Sequence, residues 1–446
     1  MKIVSKLHNI LLLVVSSALL IPAAAKAQST VTIRYGLWDS NQVAQYQECA
    51  DAFTKANPSI QIKIEQQGWV DYWTGITAGF VSGDAPDVIT DHLAKYPQFA
   101  QLNQIVDIQP LVDRDKVPTD IYYSGLADLW TRAGKRYGLP KDWDTIGIVY
   151  NADALKAAGV DPATMSTWLW NPTDGGTFGQ VVAKLTLDSN GNNGLSPKFD
   201  KTKVVQYGFD IVDNTGWGGA TGQSNWSAFA VSNGFKYNNG IWGNKYYYDD
   251  PKLAETFQWF ADLSLKHGFA PDYASAKSAD KLPLFQSKKV AMTIDGDWMA
   301  GAYASSSFPV GFGRLPTGPA GRWSMFNGLA DSIYVGTQHM EEAWKWVKYM
   351  ASQDCEDVVG KHGVVFPAIA SGTALSLAAH KAKGVDVSAY TDQAAQKDGT
   401  FLFPITDHAS DVDKIMTDAE DNIALGKTDA ASALKAANDE VNKLFQ

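Results

Sequence analysis

The stretch YGLPKDWDTIGIVYN, Tyr137 to Asn151, joins two kinds of chain. Ile146, Ile148 and Tyr150 alternate with Gly147 and Val149, which predicts a strand set into a sheet. Lys141, Asp142, Trp143 and Asp144 precede it and do not suit a strand entering a core, where charges are kept only when paired. Their side chains are expected to face solvent, a cleft or one another.

Upstream, VTIRYGLW (31–38) alternates like a strand, and Asp39 or Ser40 can cap a helix running to Ala56, closed by Asn57-Pro58. Val43, Tyr46, Ala50 and Phe53 give that helix an apolar face. Ile60, Ile62 and Ile64 predict a second strand, Asp71 a cap for a helix carrying Trp73, Ile76 and Phe80, and APDVIT (85–90) a third strand. The order β-α-β-α-β implies a parallel sheet with right-handed crossovers, on which ligands sit at the carboxyl ends of the strands. Trp38-Asp39 and Asp91-His92 occupy two such ends, where the acids could also serve only as helix caps.

Downstream, NADALKAAGV (151–160) begins a helix, and a region rich in Gly, Asn and Trp runs from Trp168 to Trp242. KKVAMTIDGDWM (288–299) holds another strand, Val290 to Ile294, whose carboxyl end presents Asp295, Asp297 and Trp298. In EEAWKWVKYMA (341–351), helical spacing puts Ala343, Trp346 or Val347, and Met350 on one face, so these aromatics are expected in the core.

Lys2 and Lys6, the apolar run Ile10 to Ile21 and the small residues Ala25 and Ala27 have the order of a secretory signal peptide cut after Ala27. No cysteine follows the cut to carry a lipid anchor, and no later run has the length of a membrane span. A soluble, exported chain is expected, periplasmic in a Gram-negative cell. Cleavage removes three of 38 basic residues and none of the 48 acidic ones, which leaves a net charge of −13. That balance argues against a nucleic-acid or anionic-membrane partner. Cys49 and Cys355 are expected as two buried thiols, with a bridge as the alternative.

Several motifs fall short of a chemistry. GWGGATGQSNW (216–226) lacks the Lys-Ser/Thr of a phosphate-binding loop and reads as a surface loop, with Trp217, Gln223 and Trp226 as weaker cleft candidates. Asp188, Asn190 and Asn192 start like a calcium loop, but Asn193 replaces the turn glycine and no Glu closes it, so an Asx-turn is expected. The histidines have no zinc-protease spacing, and Ser278 to Lys281 lacks the companion motifs of a β-lactamase.

Five segments together resemble the extracellular solute-binding proteins of sugar ABC importers, the family that includes maltose-binding protein. They are DYW…VSGDAPDVI (71–89), YGLPKDWDTIGIVYN (137–151), WNPTDGGTFGQVVAKLTLDSNGN (170–192), KKVAMTIDGDWM (288–299) and GFGRLPTGPAGRWSMFNGLADSI…EEAWKWVKYMAS (311–352). The resemblance implies an α/β, two-lobed periplasmic-binding-protein fold of type II, with several chain crossings at a hinge. It divides the chain into the signal peptide 1–27, a first lobe of 28–143 plus 313–354, and a second lobe of 144–312 plus 355–446. The crossings are expected near Lys141 to Thr145, near Phe312 and soon after Met350, with Lys141 to Asp144 on the cleft floor.

The implied function is capture of a sugar or oligosaccharide between the lobes and delivery to an ABC-type permease with its cytoplasmic ATPase. A monomer without cofactor or metal is expected. A pyranose needs planar side chains for its apolar face and carboxylates or amides for its hydroxyls. Asp142, Trp143 and Asp144 supply both, as do Asp295, Asp297 and Trp298, and the resemblance adds Asn327 to the ligand-binding set. Trp143→Ala and Asp142→Ala are expected to weaken binding and to leave stability nearly unchanged. Alternative readings are a binding protein for a polyol or other polar solute and, less well supported, a secreted carbohydrate-active enzyme. The paired carboxylates would suit a glycosidase, but no general acid in an apolar pocket is evident.

Overall fold

The computed structural model describes residues 30–123 and 125–446. The expected signal peptide lies outside them. The chain opens with β1 (Val31–Leu37), α1 (Val43–Ala56), β2 (Ile60–Gln66), α2 (Trp69–Ser82) and β3 (Val88–His92). β1 runs parallel to β2 and β3, as the alternating pattern requires. Asp39 accepts from the Asn41 amide at 2.9 Å in a short 3-10 turn that leads into α1. The N-cap of α2 is Gly68, so Asp71 stands in the first turn and not at the expected cap position.

β4 (Leu139–Pro140) still belongs to this first sheet, and one residue later β5 (Asp142–Asn151) is the central strand of the second. The second lobe continues with β6 (Leu187–Asp188), β7 (Val204–Asp210), α3 (Pro251–Asp262), β8 (Val290–Gly296), β9 (Val310–Gly313) and β10 (Ser324–Asn327). β5 pairs antiparallel with β8, β9 and β10 along its length. β11 (Leu329–Ile333) then returns to the first sheet, which has the order β2-β1-β3-β11-β4. The return is therefore at Gly328, not near Phe312 as expected. There the chain squeezes past β5, since a Cβ on Gly328 would lie 2.7 Å from the Asp142 carbonyl oxygen.

α4 (Met340–Met350) buries Ala343, Trp346, Val347 and Met350 together, and Trp344 as well. α5 (Gln353–His362) stays with the first lobe, because Cys355 forms a disulfide with Cys49 of α1. The expectation of free thiols and of a boundary at 354 is thus corrected. β12 (Phe366–Pro367) pairs with Trp143 and Asp142 at the start of β5, and α6 (Ala370–Ala382) packs on α5. The last crossing follows α6. β13 (Thr400–Phe401) pairs with β10, while α7 (Ala409–Ala424) and α8 (Ala430–Lys443) pack on α3 in the second lobe.

The opening stretch is therefore strand from Asp142 onward, and Lys141 is the crossing residue. Its ammonium is enclosed in the first lobe, donating to the Tyr35 hydroxyl at 2.8 Å and the Thr90 hydroxyl at 2.7 Å and pairing with Asp331 at 3.1 Å. Pairing is what allows a charge there, and it takes Lys141 away from the cleft floor where it was expected. Among the described residues no helix is long and apolar enough to cross a membrane.

Candidate ligand-binding cleft

A cavity of about 640 Å³ lies between the lobes and is lined by both of them and by the hinge strands. Its volume is within the range of small-molecule sites. The first-lobe wall is aromatic. Trp38, at the carboxyl end of β1, meets Trp69 edge to face at 5.1 Å and Trp73 at 5.3 Å, and remains half-buried. Asp39 beside it accepts from Asn41 and Gln42, so its role as a cap and its place on the wall coincide. Burial first, opposed by these bonds, raises its pKa.

His92 ends β3 and also lines the cavity. Its Nδ1 accepts from the Ala94 amide at 3.1 Å, which leaves the proton on Nε2, facing Gln223 of the second lobe. Burial, with nearby Lys95, depresses its pKa to about 3, so the imidazole is neutral. Asp91 does not reach the cavity. It is fully buried, and one oxygen accepts from the His92 amide at 2.8 Å.

The floor comes from β5 and β10. Asp142 Oδ1 accepts from the Leu329 amide at 2.8 Å, which ties the first crossing to the second. Asp144 Oδ2 accepts from Asn327 Nδ2 at 3.1 Å. All three residues line the cavity. Burial, outweighing nearby Lys141, pushes Asp142 up to about 6. Burial, then the charges of Asp297 and Asp142, hold Asp144 well above the usual carboxylate range. Asp297 is also raised by burial but does not line the cavity; it accepts from the Thr145 amide at 3.0 Å and braces β5 from beneath.

Trp143 contributes only an edge. Its ring is stacked on Tyr123 at 4.8 Å, packed against Phe326 and Phe366, and bonded through Nε1 to the Thr373 hydroxyl. With 3% exposure it is principally packing, and its removal would cost stability, contrary to the expectation from sequence. Asp142→Ala would likewise strand the Leu329 amide.

On the second lobe, Trp298 is half-buried and its ring packs against Gly296, where a Cβ would fall 1.9 Å from Cζ3. Asp295 pairs with Lys281 at 3.4 Å and accepts from the Tyr303 hydroxyl at 3.0 Å. The glycine loop is part of this wall. Gly218 and Gly219 have φ of +93° and +57°, and a Cβ on Gly219 would meet an Asp413 oxygen at 2.3 Å, so the loop packs close to α7. Gln223 faces the cavity, but Trp217 and Trp226 point the other way. Trp217 packs on Phe257 and Tyr273, and Trp226 is buried with its Nε1 on Glu420, so both belong to the core.

Some lining residues had escaped the sequence reading. Gln66 ends β2 and Trp69 follows it, and the rule that selected Trp38 after β1 applies to them equally. Gln42, Lys95, Lys281, Thr406 and Asp413 carry no such signal, because loop and helix packing bring them in. Asp188 holds its own loop together. Its oxygens accept from the Asn190, Asn192 and Asp200 amides and from Asn192 Nδ2, as in an Asx-turn. Among the described residues no group of His, Cys, Asp and Glu could hold a metal.

The lobes also touch across the mouth. Lys95 meets Asp413 at 3.6 Å, the Ser410 amide donates to Gln98 at 3.1 Å, and Arg132 pairs with Asp407 while lying 4.8 Å over the Trp242 ring. His92 stacks on Phe403 at 5.7 Å.

The chain matches the family described as bacterial extracellular solute-binding protein over residues 38–354. It is 28% identical over 146 residues to the arabinooligosaccharide-binding protein of Bacillus subtilis, covering 32% of this chain and 32% of that relative, well under half its length. It is 23% identical over 335 residues to the multiple sugar-binding protein of Streptococcus mutans, covering 74% and 73% of the two chains. An ABC substrate-binding protein from Listeria monocytogenes, solved in complex with cycloalternan, superposes with a TM-score of 0.80 at 18% identity, over 93% of this chain and 99% of that one. At that identity the likeness is one of fold, the type II periplasmic-binding-protein architecture.

Proposed function

This chain belongs to the bacterial extracellular solute-binding protein family, and we propose that it captures a sugar or oligosaccharide between its lobes for delivery to an ABC-type permease. The observation that carries the reading is the pairing of half-buried Trp38, Trp69 and Trp298 with the carboxylate and amide floor of Asp142, Asp144 and Asn327 in one cavity. Indole faces suit the apolar face of a pyranose, and carboxylates accept from its hydroxyls. The sugar specificities named for the Bacillus and Streptococcus relatives support the same class. Trp38, Asp39, His92, Asp142, Asp144, Gln223, Asp295, Trp298 and Asn327 are the proposed ligand contacts, with an edge of Trp143.

The protein works by binding and closure, without chemistry on the ligand. It is exported by a signal peptide cut after Ala27, acts as a periplasmic monomer, and presents its closed form to a permease driven by a separate ATPase. A thermal-shift screen of mono- and oligosaccharides tests the reading. A true ligand at a hundred times its Kd adds about 2.7 kcal/mol to stability, a clear rise in melting temperature. A screen in which amino acids or polyols raise it and no saccharide does would refute the proposal.

A further inference from the structure

The cavity is one-sided in charge. Among the described residues, seven aspartates line it, against two lysines and no arginine. Both lysines are already engaged by the protein. Lys281 donates to the Ser224 carbonyl and hydroxyl, each at 3.0 Å, and to the Ile294 carbonyl at 3.2 Å, beside Asp295. Lys95 is paired with Asp413 at the mouth. His92 is no cation, since its Nδ1 accepts from a backbone amide.

The buried side-chain atoms of the lining that lack a partner are all acceptors: Gln42 Oε1, Asp142 Oδ2, Asp144 Oδ1 and Asn327 Oδ1. Their four residues are at most 6% exposed. The Gln42 orientation is fixed by its other end, for Nε2 donates to Asp39 at 2.9 Å, while Asn327 Nδ2 lies 3.1 Å from Asp144 Oδ2 and 3.3 Å from His92 Nε2. A buried acceptor without a donor is costly, and a ligand that supplies the donor recovers that cost. An anionic group placed there would meet these unpartnered oxygens in an aspartate-rich lining whose two lysines are already engaged.

We infer that the cleft selects saccharides presenting only hydroxyl or amino groups to its floor, and rejects those carrying a carboxylate, sulfate or phosphate. Neutral sugars satisfy the four acceptors through O–H groups, and an ammonium in place of one hydroxyl is tolerated. This inference rests on the sugar reading above and narrows it by charge class.

The test is calorimetry at pH 7.5 on the full mature chain with matched sets: glucose, glucosamine and glucuronate; galactose, galactosamine and galacturonate; and the β1,4-linked dimers of each. For whichever configuration binds, the neutral and amino members should lie within tenfold of one another and the uronate at least a hundredfold weaker. A uronate within tenfold of its neutral counterpart would overturn the charge selectivity and leave the sugar reading standing. Failure of every member, uronates included, would instead count against the sugar reading and remove the inference with it. In Asp142→Asn, checked for an unchanged melting temperature, one oxygen still accepts from the Leu329 amide, the other position becomes a donor, and a charge present at pH 7.5 is lost. The neutral-to-uronate ratio should fall at least tenfold, and an unchanged ratio would show that the acidic floor is not the source of the selectivity.

Discussion

Asp142 divides its work between its two oxygens. Oδ1 holds the Leu329 amide and is structural, while Oδ2 is buried in the cavity lining without a partner. With the carboxyl pushed up to about 6, protonation falls on Oδ2 and turns an acceptor into a donor. A ligand hydroxyl that donates to Oδ2 stabilises the ionised form, so affinity is full above about pH 7 and declines as the pH drops through 6. Asp142→Asn keeps an oxygen for Leu329 and turns an NH2 toward the ligand. It should weaken binding by about 1.5–3 kcal/mol, ten- to a hundredfold, and flatten the slope near pH 6. Calorimetry from pH 5 to 8 on both proteins checks this. An equally steep slope in the variant would assign the titration to another group.

Among the elements, the first-lobe β-α-β-α-β order and the strand from Thr145 were legible because the apolar period is local and uninterrupted. The buried start of β5 was not. Asp142 and Asp144 look solvated in sequence, and only the Leu329 amide and Asn327, nearly two hundred residues away, explain how they are held. Trp217 and Trp226 failed for a related reason: a tryptophan in a glycine-rich loop carries no periodicity to say which way it faces. Crossing positions were misplaced because β9, β10 and β11 are short strands whose sheet is set by pairing, not by composition.

The bridge between α1 and α5 closes a separation of 306 residues, within which most of the second lobe is contained. Removing a native disulfide costs about 2–5 kcal/mol, largely through the freed unfolded chain. Cys49→Ala with Cys355→Ala, or reduction of the native protein, should therefore lower the melting temperature by several degrees. Neither cysteine lines the cavity, so ligand affinity at 25 °C should be unchanged. Calorimetric melts with and without reductant decide it, and an unaltered melting temperature would contradict a bridge at this position.

For the whole molecule, the proposed capture couples binding to closure, and on that reading the contacts across the mouth favour the closed form. The Arg132–Asp407 pair is partly exposed, 29% on each side, so its worth is about 0–1 kcal/mol. Arg132→Ala should weaken every ligand alike by less than about tenfold, because it shifts the closure equilibrium and touches no ligand atom. Titrations with two ligands of different length measure this. A loss confined to one ligand would make Arg132 a contact residue instead.

Trp298 and Trp143 separate a ligand-binding cleft from mere packing most directly. Calorimetric titration of the best sugar, with melting temperatures recorded on the same samples, should be run on the native chain, Trp298→Ala and Trp143→Ala. Trp298, half-buried against Gly296, should lose affinity at least tenfold with little change in melting temperature. Trp143, enclosed by Tyr123, Phe326 and Phe366, should lose about 3–5 kcal/mol of stability. Native affinity in Trp298→Ala, measured at one sugar per chain, would contradict capture in the interlobe cleft.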